Sequence, residues 1–226
     1  MRIIKVNKAG IELALKYLRQ GKSVVYPTDT AYGLGVDATN VRAVKKLLQI
    51  KERKNQPVHI VVSSLAMAKK FAVFTPLAVK LFKKFLPGPL TLILSRRGRG
   101  SYKEAFKLLS AGTGTIGIRM PADRIALELS RKLGRPITTP SANPSAHLSG
   151  GTTPYSVQDS YEQFEGKKYQ PDLFLDGGKL SRSKPSTLVK ISNNKIHILR
   201  KGPITKRQIM SVIAIRLGRR SNLSKT

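Results

Sequence analysis

A strand-like run, Ser23-Val24-Val25-Tyr26, breaks into Pro27-Thr28-Asp29-Thr30-Ala31-Tyr32-Gly33-Leu34-Gly35, a polar loop carrying hydroxyls, a carboxylate and glycines. Loops at strand ends are where open α/β sheets bind ligands, because side chains and backbone amides become available where the scaffold stops. The same residue types also suit a plain turn and helix cap. A second segment, Lys51-Glu52-Arg53-Lys54-Asn55-Gln56-Pro57, sets cations just before a strand. Lys51 and Arg53 suit a triphosphate, the arginine fork binding two oxygens and the lysine acting as a compact charge. Equally, cations at a helix end complement its dipole.

A third segment runs Thr138-Thr139-Pro140-Ser141-Ala142-Asn143-Pro144-Ser145 and continues to Ser149-Gly150-Gly151-Thr152. Its hydroxyls, amide and glycines bring neutral donors to phosphate or carboxylate oxygens, or form an ordinary polar loop. It lacks the Gly-Lys-Ser/Thr ending of a Walker A loop and is no dinucleotide-binding fingerprint. In Thr115-Ile116-Gly117-Ile118-Arg119 an arginine ends an apolar strand, a place that favours meeting an anion over plain solvation. Arg200 stands similarly, beyond Pro185-Ser186-Thr187.

Composition narrows what these segments serve. In 226 residues, 42 Lys+Arg stand against 12 Asp+Glu, a net charge of +30 that favours polyanionic or acidic partners. With no cysteine there is no disulfide framework, thiol nucleophile or thiolate-ligated zinc. His59, His147 and His197 are too far apart for a local metal motif, so no metal ligands are expected. A hydrophobic share of 40% argues against wholesale disorder, and 6% aromatic with no Trp argues against a base-stacking platform. Charges interrupt every apolar run, and none approaches the roughly 18 residues a membrane span needs. A cytoplasmic protein without a leader or membrane anchor is expected.

The elements that must position these segments alternate between the two periods. Helices are expected over 9–20, after Asn40, from Ser63 or Ser64 to Phe71, from Thr75-Pro76, over 123–132 and over 205–217. Strands are expected over 23–26, 58–62, 90–94, 115–119, 136–139, 173–175, 187–191 and 195–199. The last two form a hairpin through Asn193-Asn194, and 96–100 is a basic excursion. Strands mixed with helices, and a late hairpin, predict an α/β fold (α+β): a single-domain twisted, open, mixed sheet flanked by helices.

Taken in chain order, these segments resemble the YrdC-like family of threonylcarbamoyl-AMP synthases. The resemblance covers about residues 3–204 and rests on Tyr-Pro-Thr-Asp-Thr-x-Tyr-Gly-Leu-Gly, Lys-x-Arg, Leu-Pro-Gly-Pro-Leu-Thr, Gly-Ile-Arg-Met-Pro, Pro-Ser-Ala-Asn and Pro-Ser-Thr-Leu-Val. It implies a basic central cavity, a catalytic domain over 3–204 and a C-terminal helix and basic tail over 205–226. It also implies condensation of L-threonine, bicarbonate and ATP into threonylcarbamoyl-adenylate with release of pyrophosphate, magnesium sitting on the phosphates. That is the first step of N6-threonylcarbamoyladenosine formation in tRNAs reading ANN codons. Matched motif by motif, Lys51 and Arg53 would hold the phosphates as the catalytic pair. Asn55, Thr115, Ser141, Asn143, Ser149 and Arg200 would join them on the ATP side. Thr30, Arg119, Thr139 and Ser186 would contact threonine, with Arg119 on its carboxylate. tRNA or double-stranded RNA and proteins that transfer the threonylcarbamoyl group are the implied partners.

The chain departs from the family pattern in two places. Arg53-Lys54-Asn55-Gln56-Pro57-Val58 is one residue shorter than the usual continuation and lacks its first proline, with Asn55 or Gln56 left for the polar contact. A histidine usual late in the next strand is replaced by Val61, and His59, two positions earlier, points to the same face of a regular strand. Two other readings stay open: a non-catalytic RNA-binding protein of this fold, favoured by the acid-free stretch after Asp176, and an ATP-dependent carbamoylating enzyme with another acceptor.

Overall fold

The computed structural model describes residues 1–52, 56–97, 102–145, 150–193 and 195–214. Most helices begin where a short polar side chain satisfies the first free amides. Asn7 accepts from Gly10 N at 2.8 Å to open α1 (Lys8–Arg19). Asn40 accepts from Arg42 N at 3.0 Å and Ala43 N at 3.2 Å to open α2 (Val41–Ile50). Ser64 caps α3 (Leu65–Phe71), and Thr75 caps α4 (Pro76–Phe85), whose Pro76 has no amide to satisfy. After α5 (Lys103–Leu109), Asp123 caps α6 (Arg124–Leu133), which Gly134 ends at a φ of 72°. Ser156 and Asp159 form a reciprocal capping box on α7 (Val157–Phe164), and α8 (Lys206–Ala214) closes the described chain.

The strands are β1 (Arg2–Lys5), β2 (Val24–Tyr26), β3 (Gly33–Gly35), β4 (Ile60–Val61), β5 (Leu90–Ser95), β6 (Thr115–Arg119), β7 (Ile137–Thr138), β8 (Leu173–Asp176), β9 (Thr187–Ser192) and β10 (Lys195–Arg200). They form a 4-stranded sheet, β1-β8-β2-β3, and a 6-stranded sheet, β10-β9-β5-β6-β4-β7, both of mixed direction. The expected mixed sheet is thus divided, and the segment after β2 ties its halves together. Leu34 N donates to Pro140 O at 2.8 Å, Ala142 N to Tyr32 O at 2.8 Å, and Thr138 N to Val36 O at 3.0 Å. Glycine permits this at β3: a Cβ on Gly35, opposite Val24, would lie 2.7 Å from Cε1 of Tyr26.

Period-two alternation decides what the larger sheet offers the site. Leu90, Leu92 and Leu94 of β5 and Ile116 and Ile118 of β6 enter the main core with Phe71, Phe82 and Phe106. That leaves Thr91, Gly117 and Arg119 on the opposite face. A second core, holding Leu15 and Leu18 of α1 and Leu129 and Leu133 of α6, covers part of that face and takes in Val61.

The expected elements are present with ends shifted by a residue or two, and β1, β3, α5 and α7 are additional to them. Asn194 of the expected hairpin turn, residues 98–100 of the basic excursion and residues 215–226 of the closing segment lie outside the described residues.

Candidate active site

The two sheets meet around a cavity of about 280 Å³, lined by residues from the β2–β3 loop, the start of β4, the end of β6, the segment after β7, and the 183–186 and Arg200 region. Each wall can be traced to a local cause.

The β2–β3 loop is closed by its first hydroxyl. Thr28 Oγ1 donates to Ala31 O at 2.7 Å and accepts from Thr30 N at 3.2 Å and Ala31 N at 3.3 Å. The turn so formed presents Asp29 and Thr30 to Arg119, which the alternation of β6 has already aimed at the cavity. Arg119 Nη2 donates to Asp29 Oδ1 and, at 2.6 Å, to Thr30 Oγ1. Asp29 Oδ2 also accepts from Ala122 N at 3.1 Å. Arg119 Nε is buried and has no hydrogen-bond partner among the described residues.

Glycine makes room for the next wall. A Cβ on Gly117 would fall 2.3 Å from Cδ2 of His59, so only glycine lets the imidazole lie over β6, one alternation before Arg119. β4 and β6 pair in parallel with Ile60 opposite Ile118, which sets His59 alongside Gly117. Thr139, whose amide donates to His59 O at 3.0 Å, is buried with its hydroxyl over Gly33.

The far wall is a knot of hydroxyls and a guanidinium. Ser186 Oγ lies 2.8 Å from Thr91 Oγ1, a buried group on the cavity face of β5. Arg200 donates to Ser186 O from Nε at 3.1 Å and Nη2 at 3.0 Å, and from Nη2 to Ser186 Oγ at 3.1 Å. A register shift between Ile198 and Arg200 turns the end of β10 so that this reach is possible. Gly202 lets the turn settle on Pro185: a Cβ there would be 2.4 Å from Pro185 O. Burial, and after it the charge of Arg119, holds the Arg200 guanidinium below its ordinary pKa. The cavity is therefore a positive, hydroxyl-lined space suited to oxyanions.

Behind the wall lies a further cluster. Lys51, 1% exposed, donates from Nζ to Ser141 O at 2.7 Å, to Asn143 O, and to Asn143 Oδ1 at 3.3 Å. α2 thus delivers a buried ammonium to the loop after β7.

Of the residues singled out in the sequence, the structure brings Thr30, His59, Arg119, Thr139, Ser141, Ser186 and Arg200 together on the cavity lining. Lys51 and Asn143 stand behind Ser141 rather than on the lining. Thr115 is on the Arg119 face of β6 but at its other end, roughly 13 Å away at the rise of a strand, with its hydroxyl 2.9 Å from that of Thr113. Arg53, Asn55 and Ser149 lie outside the described residues. Sequence reasoning gave no role to Asp29 or Thr91, although both lie within quoted motifs. Strand alternation brings Thr91 opposite Arg119 across β5 and β6.

A family model covering Sua5, YciO and YrdC, described as "Telomere recombination", matches residues 16–202. A threonylcarbamoyl-AMP synthase from Pyrococcus abyssi is 34% identical over 92% of this chain, which spans 58% of that enzyme's length. A relative from Methanocaldococcus jannaschii is 38% identical over 90% of this chain and 93% of its own. The crystal structure of P. abyssi Sua5 complexed with L-threonine superposes with a TM-score of 0.83 at 34% identity, covering 94% of this chain and 61% of that one.

Proposed function

Because the chain belongs to the Sua5/YciO/YrdC family, we propose that it makes L-threonylcarbamoyl-AMP from L-threonine, bicarbonate and ATP, releasing pyrophosphate as the first step of tRNA threonylcarbamoylation. The observation that carries this reading is the gathering of Arg119, Arg200, His59, Thr30, Thr139 and Ser186 around one cavity, within a fold shared with a relative solved with L-threonine bound.

We assign the threonine carboxylate to Arg119, whose Nε–H has no partner among the described residues, and the rest of the amino acid to Thr30, His59, Thr139 and Ser186. Arg200, Ser141 and Asn143 would meet ATP next to it, and Lys51, which stands behind Ser141 and bonds Asn143, would hold the phosphates with Arg53 as the catalytic pair. Arg53, Asn55, Thr115 and Ser149 complete the assigned ATP contacts, and residues 3–204 the catalytic domain.

Threonine's amine condenses with bicarbonate to give a carbamate and water, the amine losing a proton as the bicarbonate loses hydroxide; a carbamate oxygen then attacks the α-phosphorus in line while pyrophosphate leaves. No protein nucleophile is required; the residues bind, orient and neutralise anions that would otherwise repel one another. Magnesium arrives as the ATP complex. Among the described residues no group of three or more His, Asp or Glu is placed to hold a metal ion.

Threonine-dependent pyrophosphate release from ATP and bicarbonate is the test. Equal turnover without threonine overturns the substrate assignment.

For partners we propose tRNA, favoured by the absence of any acidic residue after Asp176, and the proteins that take up the adenylate. No helix among the described residues is long and apolar enough to cross a membrane, and we propose a cytoplasmic location.

A further inference from the structure

Asp29 is one of only 12 acidic residues in a strongly basic chain, yet it stands between the lining residues Thr28 and Thr30 and pairs with Arg119 at the edge of a cavity suited to anions. A carboxylate there repels such ligands unless it does something specific. We propose that Asp29 is a positioning residue that fixes the Arg119 guanidinium for the substrate carboxylate, an inference that rests on the assignment of Arg119 to threonine.

The geometry carries it. An arginine side chain offers five N–H donors on a flexible stem, and only a fixed plane presents a chosen edge to a ligand. Here Nη2 is occupied by Asp29 and Thr30, while Nε has no partner among the described residues. Asp29 is itself fixed from both directions: the Thr28 turn holds its backbone, and Ala122 N holds Oδ2 at 3.1 Å. One carboxylate therefore ties the guanidinium to the chain just beyond the strand that carries it. The side chains of Arg119 and Asp29 are only 9% and 11% exposed, so separating them would strand two buried charges.

The same contacts suit a rival role: Asp29 as a stand-in for the substrate carboxylate, displaced on binding. The second bond to Ala122 N argues against it, since displacement would break that bond as well.

The two roles give opposite kinetics. Asp29→Asn keeps the shape and removes the charge. As a positioning residue it raises the threonine KM at least tenfold and leaves the ATP KM within about twofold, and Asp29→Glu recovers part of the loss. An unchanged or lowered threonine KM in folded Asp29→Asn overturns the proposal. If the unaltered protein shows no threonine-dependent turnover, the functional reading fails separately. The positioning claim is then read from ¹⁵N NMR of the Arg119 Nε–H, assigned with Arg119→Lys. Faster exchange of that proton with water in Asp29→Asn or Asp29→Glu supports fixation by Asp29, and unchanged exchange in both overturns it.

Discussion

The ammonium of Lys51, at the end of α2, is bonded to the backbone and side-chain oxygens of Asn143, in the loop that follows β7. A buried lysine whose donors are taken by carbonyl oxygens acts as a clamp on that loop. It holds Ser141 on the cavity lining and Asn143 behind it.

Lys51→Ala should therefore cost both stability and activity. Leaving buried carbonyls unsatisfied costs about 1–3 kcal/mol, and disorder of the loop should lower turnover at least tenfold, about 1.4 kcal/mol of barrier. Urea denaturation and pyrophosphate release read the two effects. A stable variant with full activity would remove the clamp from the account.

Arg119→Met should be among the most damaging single changes, because it leaves Asp29 charged, buried and unpaired. A loss of about 3–5 kcal/mol is expected, and adding Asp29→Asn should return much of it. A double-mutant cycle in urea measures the coupling; simple additivity would show that the pair contributes nothing jointly.

Gly117→Ala should displace the His59 imidazole, because the new Cβ falls 2.3 Å from Cδ2. Overpacking costs about 1–3 kcal/mol, and His59→Ala in the same chain should relieve the steric part of it. Thermal unfolding of the two single variants and the double variant tests this, with no relief in the double variant as the contrary outcome.

Acid stability should depend on Asp172. Burial pushes its carboxyl up, but Lys46, at 2.7 Å and 2.8 Å from its oxygens, and Ser23 outweigh burial and hold it below its ordinary value. A native value below the unfolded one means the stabilisation is fully present above about pH 4 and fades as pH falls through the native value. Asp172→Asn should thus be less stable than the parent near neutral pH, with the gap closing in acid. Denaturation midpoints taken stepwise down to about pH 3 measure it, and a gap constant with pH would rule it out.

If tRNA is a partner, its affinity should fall steeply with salt, with a log–log slope of about 0.7–0.9 per phosphate contacted. Removing residues 215–226, which carry Arg216, Arg219, Arg220 and Lys225, should flatten that slope. An unchanged slope would take the tail out of RNA recognition.

What the amino-acid sequence determined by itself is what local chemistry can determine. Asn40, Ser64, Thr75 and Asp123 mark helix starts because a cap acts within three residues, and alternation along β5 and β6 separates core leucines and isoleucines from Thr91 and Arg119. Motif order singled out Thr30, His59, Arg119, Thr139, Ser141, Ser186 and Arg200, which the structure sets on one cavity lining. Even α7, not expected, carries a local signal in Ser156 and Asp159. β3 had none: Gly33-Leu34-Gly35 reads as loop, and only pairing with β2 and contact with the 137–142 segment make it a strand. The division into two sheets, the turn of Lys51 toward Asn143 and the pairing of Asp29 with Arg119 were likewise decided by tertiary structure. Partners some 90 residues apart in the chain share no local periodicity, and a buried charge takes whichever oxygens the packing brings within reach.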